Sequence, residues 1–213
     1  MQRSITIPVM ALFLALVLAL PAVGAAVPSP LESMKGNVQK VMDVLKDPAL
    51  KAADKRDERR KTLRGLADRI FDWVELSKRT LARSWNDLSV DQKREFVTLY
   101  ADLLEKTYSD RIESYSGQEV AFTKETMLSD DKAEVKTLVK STDKTIPIDY
   151  RLTLGKDGWL VYDVQVEGIS LVQNYRKQFS EILASNPPDK MIEILRDKVK
   201  RGEVEAWAPD SAK

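Results

Sequence analysis

The feature that most constrains the fold is a change in the spacing of apolar residues, which occurs twice along the chain. Before about residue 116 and again after Gly168, apolar side chains recur every three or four positions, as in amphipathic helices. From Val120 to Val166 apolar and polar residues alternate, as in half-buried strands. One block of strands between two blocks of helices predicts a single α+β domain.

Capping and turn-forming residues delimit the predicted helices. Apolar spacing predicts helix over 31–47 and, in one or two pieces, over 66–84. Ser89 and Gln92 have the spacing of a capping box, which marks the start of a long helix that is predicted to continue to about Tyr115. Two shorter helices, separated by a double proline, are predicted near the C-terminus.

Four strands are predicted between 120 and 166. Turn-forming residues separate them at 129–131, 141–143 and 155–158. Consecutive strands with such short links form a four-stranded antiparallel meander. The last strand, over 159–166, has apolar or aromatic residues on both faces and is therefore predicted to lie centrally in the sheet.

The N-terminus has the organisation of a secretory signal peptide. Arg3 supplies positive charge, an apolar run follows over 9–20, and small residues surround Ala25 and Ala26. An uncleaved anchor is the alternative, but the run is shorter than the roughly 18 to 20 apolar residues needed to span a bilayer. We expect cleavage near Ala25 or Ala26 and export of a soluble protein.

The domain organisation follows from these segments. The predicted divisions are a signal peptide over 1–25, one α+β domain over 26–203 and a C-terminal tail over 204–213. The charged segment over 51–64 has two interpretations, either a face that docks on anionic membranes or a solvated helix face of mixed charge.

Composition argues against several classes of function. The chain has no His and no Cys, so the commonest general base, the thiol nucleophile and the usual zinc ligands are missing. With 34 basic and 33 acidic residues it lacks the basic excess of a nucleic-acid-binding protein. No catalytic residue, metal site or cofactor is predicted. Asp149, Asp163 and Glu167 are carboxylates available for acid–base work, with a structural role for Asp163 as the alternative.

Apolar and aromatic stripes on the helices that flank the sheet allow two arrangements. They either fill an ordinary core or enclose an apolar cavity, the usual form of a small-ligand site. A set of short motifs bears on this choice. The motifs are Phe71-Asp72, Trp85, Leu88-Ser89, Gln92, Phe96, Leu103-Leu104, Tyr108, Tyr150-Arg151-Leu152, Trp159, Tyr162-Asp163-Val164, Val166-Glu167-Gly168-Ile169-Ser170, Asn174-Tyr175-Arg176 and Phe179.

Together these motifs resemble the MlaC family of periplasmic phospholipid-binding proteins, also known as toluene-tolerance auxiliary proteins. The likeness covers about residues 31–201 and is most specific over 159–179. It implies a nuclear-transport-factor-like sheet, a deep hydrophobic cavity and a monomeric, non-enzymatic lipid carrier in the periplasm. Phospholipid would be its cargo. Its partners would be an inner-membrane ABC lipid transporter complex and an outer-membrane lipoprotein complex, which together maintain outer-membrane lipid asymmetry.

Three alternatives stay open beside this reading: a hopanoid-type cargo, an envelope adaptor without a cavity, and a lipid-modifying enzyme. For the carrier, the expected acyl-chain lining comes from the long helix, the sheet and the helix after Gly168. The lining candidates are Phe96, Tyr100, Leu103, Tyr108, Val139, Ile148, Tyr150, Trp159, Tyr162, Val164, Leu171, Tyr175 and Phe179. Arg151 and Arg176 are the candidates for neutralising a headgroup phosphate at the mouth.

Overall fold

The structure, a computed structural model, describes residues 27–115, 117–141 and 144–202. The predicted signal peptide and the C-terminal tail over 204–213 lie outside the described residues. None of the described helices has the length and hydropathy needed to cross a membrane.

The helices form before and after the sheet, as the apolar spacing predicts. They are α1 (Pro30–Lys46), α2 (Arg56–Ile70), α3 (Trp73–Leu81), α4 (Val90–Glu113), α5 (Leu171–Leu183) and α6 (Pro188–Arg201). Short 3₁₀ turns at Pro48–Leu50, Ala53–Lys55 and Ala82–Asp87 connect some of them. The capping box at the start of α4 is confirmed: the Ser89 side chain accepts from the Gln92 N–H, and the Gln92 side chain accepts from the Ser89 N–H.

The sheet is an antiparallel meander in the order β1-β2-β3-β4-β5. Its strands are β1 (Glu119–Ser129), β2 (Lys132–Lys140), β3 (Thr145–Gly155), β4 (Gly158–Val166) and β5 (Ile169–Ser170). The prediction of an α+β fold with four consecutive strands is confirmed, and the two-residue β5 is an addition to it. β5 was not foreseen because a strand of two residues carries no alternating pattern.

The predicted central position of β4 is wrong. β4 pairs with β3 along most of its length, but within the described part of the chain its other edge meets only the short β5 and the link between α2 and α3. In that link the Asp72 N–H donates to the Val161 carbonyl at 2.9 Å. Helices cover both faces of β4: the Arg79 guanidinium of α3 lies 4.0 Å from the Tyr162 ring, and Asp163 contacts the start of α5. Burial on both faces therefore comes from helices and not from further strands.

Candidate functional site

An apolar cavity of about 760 Å³ lies between one face of the sheet, α1, α2 and the C-terminal half of α4. Cavities of roughly 300–1,000 Å³ are the usual size for small-ligand sites. Its apolar walls consist of Met34, Val38, Val41, Met42, Leu45, Leu63, Ala67, Ile70, Phe71, Trp73, Ala101, Leu104, Tyr108, Ile112, Val120, Val139, Ile146, Ile148, Tyr150, Val164, Val166 and Leu171.

The cavity opens at one end of the molecule. The exposed lining residues lie at the end of α4 and on both sides of the turn between β2 and β3; they are Arg111, Ile112, Ser114, Ser141 and Lys144. At the other end the lining residues, such as Ala101 and Leu104, are buried. The hollow is therefore a blind pocket with its mouth beside the C-terminus of α4.

Alternation along the strands explains the sheet wall. Side chains two residues apart lie on the same face, and the register pairs Val139 with Ile146 and Tyr150 with Val164. Six of the sequence-predicted lining residues border the cavity. They are Tyr108, Val139, Ile148, Tyr150, Val164 and Leu171.

The other predicted lining residues do not border the cavity. Five of them form a solid cluster between α4 and α5: Phe96, Tyr100, Leu103, Tyr175 and Phe179. Within it the Phe96 and Phe179 ring centroids are 5.0 Å apart, and those of Tyr100 and Tyr175 are 5.3 Å apart. We call these five residues the aromatic core.

Trp159 and Tyr162 also lie away from the cavity. Trp159 pairs with Leu154 beside the β3–β4 turn, and this end of the strand does not border the cavity. Tyr162 is skipped by the register between Arg151 and Leu152, so its side chain turns toward α3 and lies under Arg79. A bulge changes which residues share a face, which simple alternation does not reveal.

The two predicted headgroup cations do not reach the cavity. Arg151 follows Tyr150 on β3 and therefore lies on the opposite face, with its Nε 3.8 Å from the Glu134 carboxylate. Arg176 donates two hydrogen bonds, of 3.1 and 2.6 Å, to the Arg79 carbonyl and so joins α5 to α3. Placing a phosphate against these residues was wrong, because both side chains point away from the hollow.

The wall formed by α1 and α2 is the part of the site that the sequence reasoning missed. The apolar face of α1 borders the cavity with Met34, Val38, Val41, Met42 and Leu45. Its spacing of three and four residues was visible in the sequence, but nothing local shows whether such a face meets packed side chains or a hollow.

Arginines of the charged segment join α2 to α4 at the rim of the cavity. Arg64 pairs with Asp102 and Glu105, at 2.8 and 2.5 Å. Further along, Arg59 and Arg60 both bind Glu113. Arg56 and Arg60 also bind Asp110. We call this set the α2–α4 ion-pair seam; its arginines face α4 carboxylates instead of forming a freely solvated face.

Glu113 is the most enclosed carboxylate of the seam, with its side chain 8% exposed. Burial by itself would raise the pKa of Glu113, but the hydrogen bonds and charges of Arg60 and Arg59 outweigh it, so the pKa is lowered. The carboxylate therefore stays ionised at neutral pH and neutralises the arginines around it.

The carboxylates considered for acid–base chemistry lie outside the cavity. Asp163 accepts hydrogen bonds from the Ser170 hydroxyl at 2.7 Å and from the Val172 N–H at 3.1 Å. Burial raises its pKa, and its contacts fix the start of α5. Asp149 pairs with Lys136 at 3.0 Å, and Glu167 is exposed in the turn before β5. The contacts of Asp163 therefore favour the interpretation that this carboxylate has a structural role.

Comparisons with known proteins agree with this geometry. The family model described as MlaC protein matches residues 35–197. A phospholipid-binding protein from Ralstonia solanacearum, solved in complex with a phospholipid, superposes with a TM-score of 0.72 at 20% identity, covering 81% of this chain and 98% of that chain. This likeness shows a shared fold; no curated protein matches the chain. Because the family model spans most of the sequence, the resemblance is confirmed and the chain belongs to the MlaC family.

Proposed function

We propose that this protein is a periplasmic carrier that holds the acyl chains of a phospholipid in the cavity and leaves the headgroup at the mouth. The observation that carries the proposal is the pocket itself, which is apolar along its walls, blind at one end and open at the other. Membership of the MlaC family and the shared fold with a protein solved with phospholipid support the same conclusion.

The size of the cavity suits acyl chains. A methylene group needs roughly the 30 Å³ that a water molecule occupies in the liquid, so 760 Å³ has room for about 25 such groups. One chain of sixteen carbons fits completely, and about half of a second chain fits beside it. The rest of a two-chain lipid would extend into the mouth, where Ile112 is 44% exposed.

The energetics explain why such a carrier is needed. Burying a methylene contributes about 0.8 kcal/mol, so a sixteen-carbon chain loses roughly 12 kcal/mol when it leaves an apolar environment for water. Free diffusion of phospholipid between two membranes is therefore negligible. We infer that the protein accepts and delivers lipid at an inner-membrane ABC transporter complex and an outer-membrane lipoprotein complex, and that it works as a monomer without catalysis.

Solvent extraction of the purified protein followed by mass spectrometry tests the cargo. About one phospholipid per chain is expected. An extract without lipid favours an adaptor, a hopanoid in the extract changes the cargo class, and lysolipid accumulating during incubation with phospholipid indicates an enzyme. Any of these three results contradicts the proposal.

A cavity-filling variant tests the location of the cargo. Ile148→Trp places an indole in the hollow and is expected to lower bound lipid severalfold while the fold is retained, because the side chain grows into empty space. Val74→Trp is the control, since Val74 is 55% exposed on α3 and does not border the cavity. A full lipid load in Ile148→Trp would show that the chains lie elsewhere.

A further inference from the structure

We propose that the cavity mouth is a phosphate-binding site for anionic headgroups, formed by Arg111 and Lys144. The carrier would then take lipids of net negative charge in preference to zwitterionic lipids with the same chains. This inference rests on the proposed function, since it assigns the headgroup of the same cargo.

The charges that border the cavity are unequal in number. Among the residues that the structure describes, four cations line it, Arg60, Arg64, Arg111 and Lys144, against two carboxylates, Glu105 and Glu113. Arg64 pairs with Glu105 and Arg60 pairs with Glu113. Both carboxylates are therefore occupied within the ion-pair seam, and the remaining positive charge belongs to Arg111 and Lys144.

Arg111 and Lys144 stand on different elements around the opening. Arg111 is in the last turn of α4, and Lys144 directly precedes β3. Both are exposed, and neither side chain forms an ion pair with any of the described residues. Lys46 adds positive charge nearby, with its Nζ 6.0 Å from the centre of the Tyr115 ring. Tyr115 itself borders the cavity.

The position of these cations matches the position of a lipid phosphate. A lipid whose chains fill the blind end must leave its phosphate at the level where the apolar wall stops, which is where Arg111 and Lys144 lie. Guanidinium and ammonium groups bind phosphate through charge-assisted hydrogen bonds. A net-negative headgroup gains this attraction in full, whereas the ammonium of a zwitterionic headgroup is repelled by the same cations. The whole chain carries a net charge of only +1, so the positive mouth is a local feature.

A competition between two lipids tests the preference. The full chain, stripped of lipid, is incubated with vesicles containing equal amounts of phosphatidylglycerol and phosphatidylcholine with identical acyl chains, and bound lipid is quantified by mass spectrometry. Because both lipids share one surface, attraction of the protein to the vesicle affects them equally. Two exposed charge contacts correspond to an enrichment of phosphatidylglycerol of about threefold or more in low salt. Equal loading of the two lipids would overturn the headgroup site while leaving the carrier function intact.

Variants locate the preference. Arg111→Gln combined with Lys144→Gln should bring the ratio close to one, because the loss of the two cations weakens binding of phosphatidylglycerol while the chains of both lipids still fill the cavity. The matched control is Arg83→Gln combined with Lys156→Gln, which removes the same charges from exposed positions that do not border the cavity. It should keep the wild-type ratio. A ratio that survives in the mouth variant, or collapses in the control, contradicts the proposal.

A final arm separates a lipid headgroup site from a site for free phosphate. Potassium phosphate replaces potassium chloride at equal ionic strength, and the lipid ratio should not change, since a tethered headgroup outcompetes a dilute free anion. A ratio that falls only in phosphate buffer would identify a free-phosphate site and overturn the assignment. If the wild-type protein binds neither of the two lipids, the proposed carrier function itself is refuted.

Discussion

The two halves of α4 are built from similar apolar residues but meet the rest of the protein in different ways. In the N-terminal half, Phe96 and Tyr100 pack against Phe179 of α5 in the aromatic core, and both are fully buried. In the C-terminal half, Leu104 and Tyr108 face the hollow. There α2 is joined to α4 by the ion-pair seam, which contacts α4 from Asp102 to Glu113. We infer that the solid half stabilises the fold, and that the seam borders a space left for cargo.

The largest expected effect concerns the solid half. Phe179→Ala should lower the free energy of unfolding by about 3–5 kcal/mol. The Phe179 ring packs against Phe96 and Tyr100, and its removal leaves a void that the neighbouring rings cannot fill. Denaturant unfolding of the lipid-free protein measures this. A loss below about 1 kcal/mol would show that the aromatic core is loosely packed and that the contrast between the halves is false.

Adjacent leucines sharpen the comparison. Leu103→Ala removes a side chain from the aromatic core, whereas Leu104→Ala removes one that already borders empty space. Because destabilisation grows with the new void that must be created, Leu103→Ala should cost about 1–2 kcal/mol more than Leu104→Ala in the lipid-free protein. The amount of bound lipid, in contrast, should fall more in Leu104→Ala than in Leu103→Ala. Equal losses of stability would place both leucines in one continuous core.

The seam gives a smaller effect with a defined pH dependence. The lowered pKa of Glu113 means that its ion pairs stabilise the fold above the usual glutamate pKa of 4.5 and that this contribution is lost as the pH falls through the lowered value. Glu113→Gln should therefore cost about 1–2 kcal/mol at pH 7 and flatten the pH profile below 4.5. Unfolding curves at several pH values measure both effects. A pH profile of stability that is unchanged in the variant would show that the α2–α4 ion-pair seam does not stabilise the fold.

The same contrast explains which parts of the molecule were predictable from sequence. The spacing of apolar residues and the capping box predict α4 and the meander, because both signals depend only on residues that are close together in the sequence. They do not separate the stripe of Tyr100 and Leu103 from the adjacent stripe of Ala101 and Leu104, since both are apolar and only long-range packing decides which one faces a hollow.

The headgroup prediction failed for a related reason. Arg151 follows the partly buried Tyr150 and Arg176 follows the buried Tyr175, and this one-residue offset turns each arginine to another face of the strand or helix. That offset was readable from the sequence. The pairing of Arg64 with Glu105, in contrast, joins residues that are 41 positions apart, and no local pattern encodes it.

The smallest expected effect lies where the two halves meet. The hydroxyls of Tyr108 and Tyr175 are buried, and neither makes a hydrogen bond of ordinary geometry with the described residues. Burial raises the pKa of Tyr175 to about 12, so its phenol stays neutral at physiological pH. Because an unpaired buried hydroxyl is unfavourable, Tyr175→Phe should leave stability unchanged or raise it by up to about 1 kcal/mol, as measured by denaturant unfolding of the lipid-free protein. A clear loss of stability would show that the Tyr175 hydroxyl has a hydrogen-bond partner, such as an ordered water. Water would then be bound between the aromatic core and the cavity, in spite of the apolar side chains there.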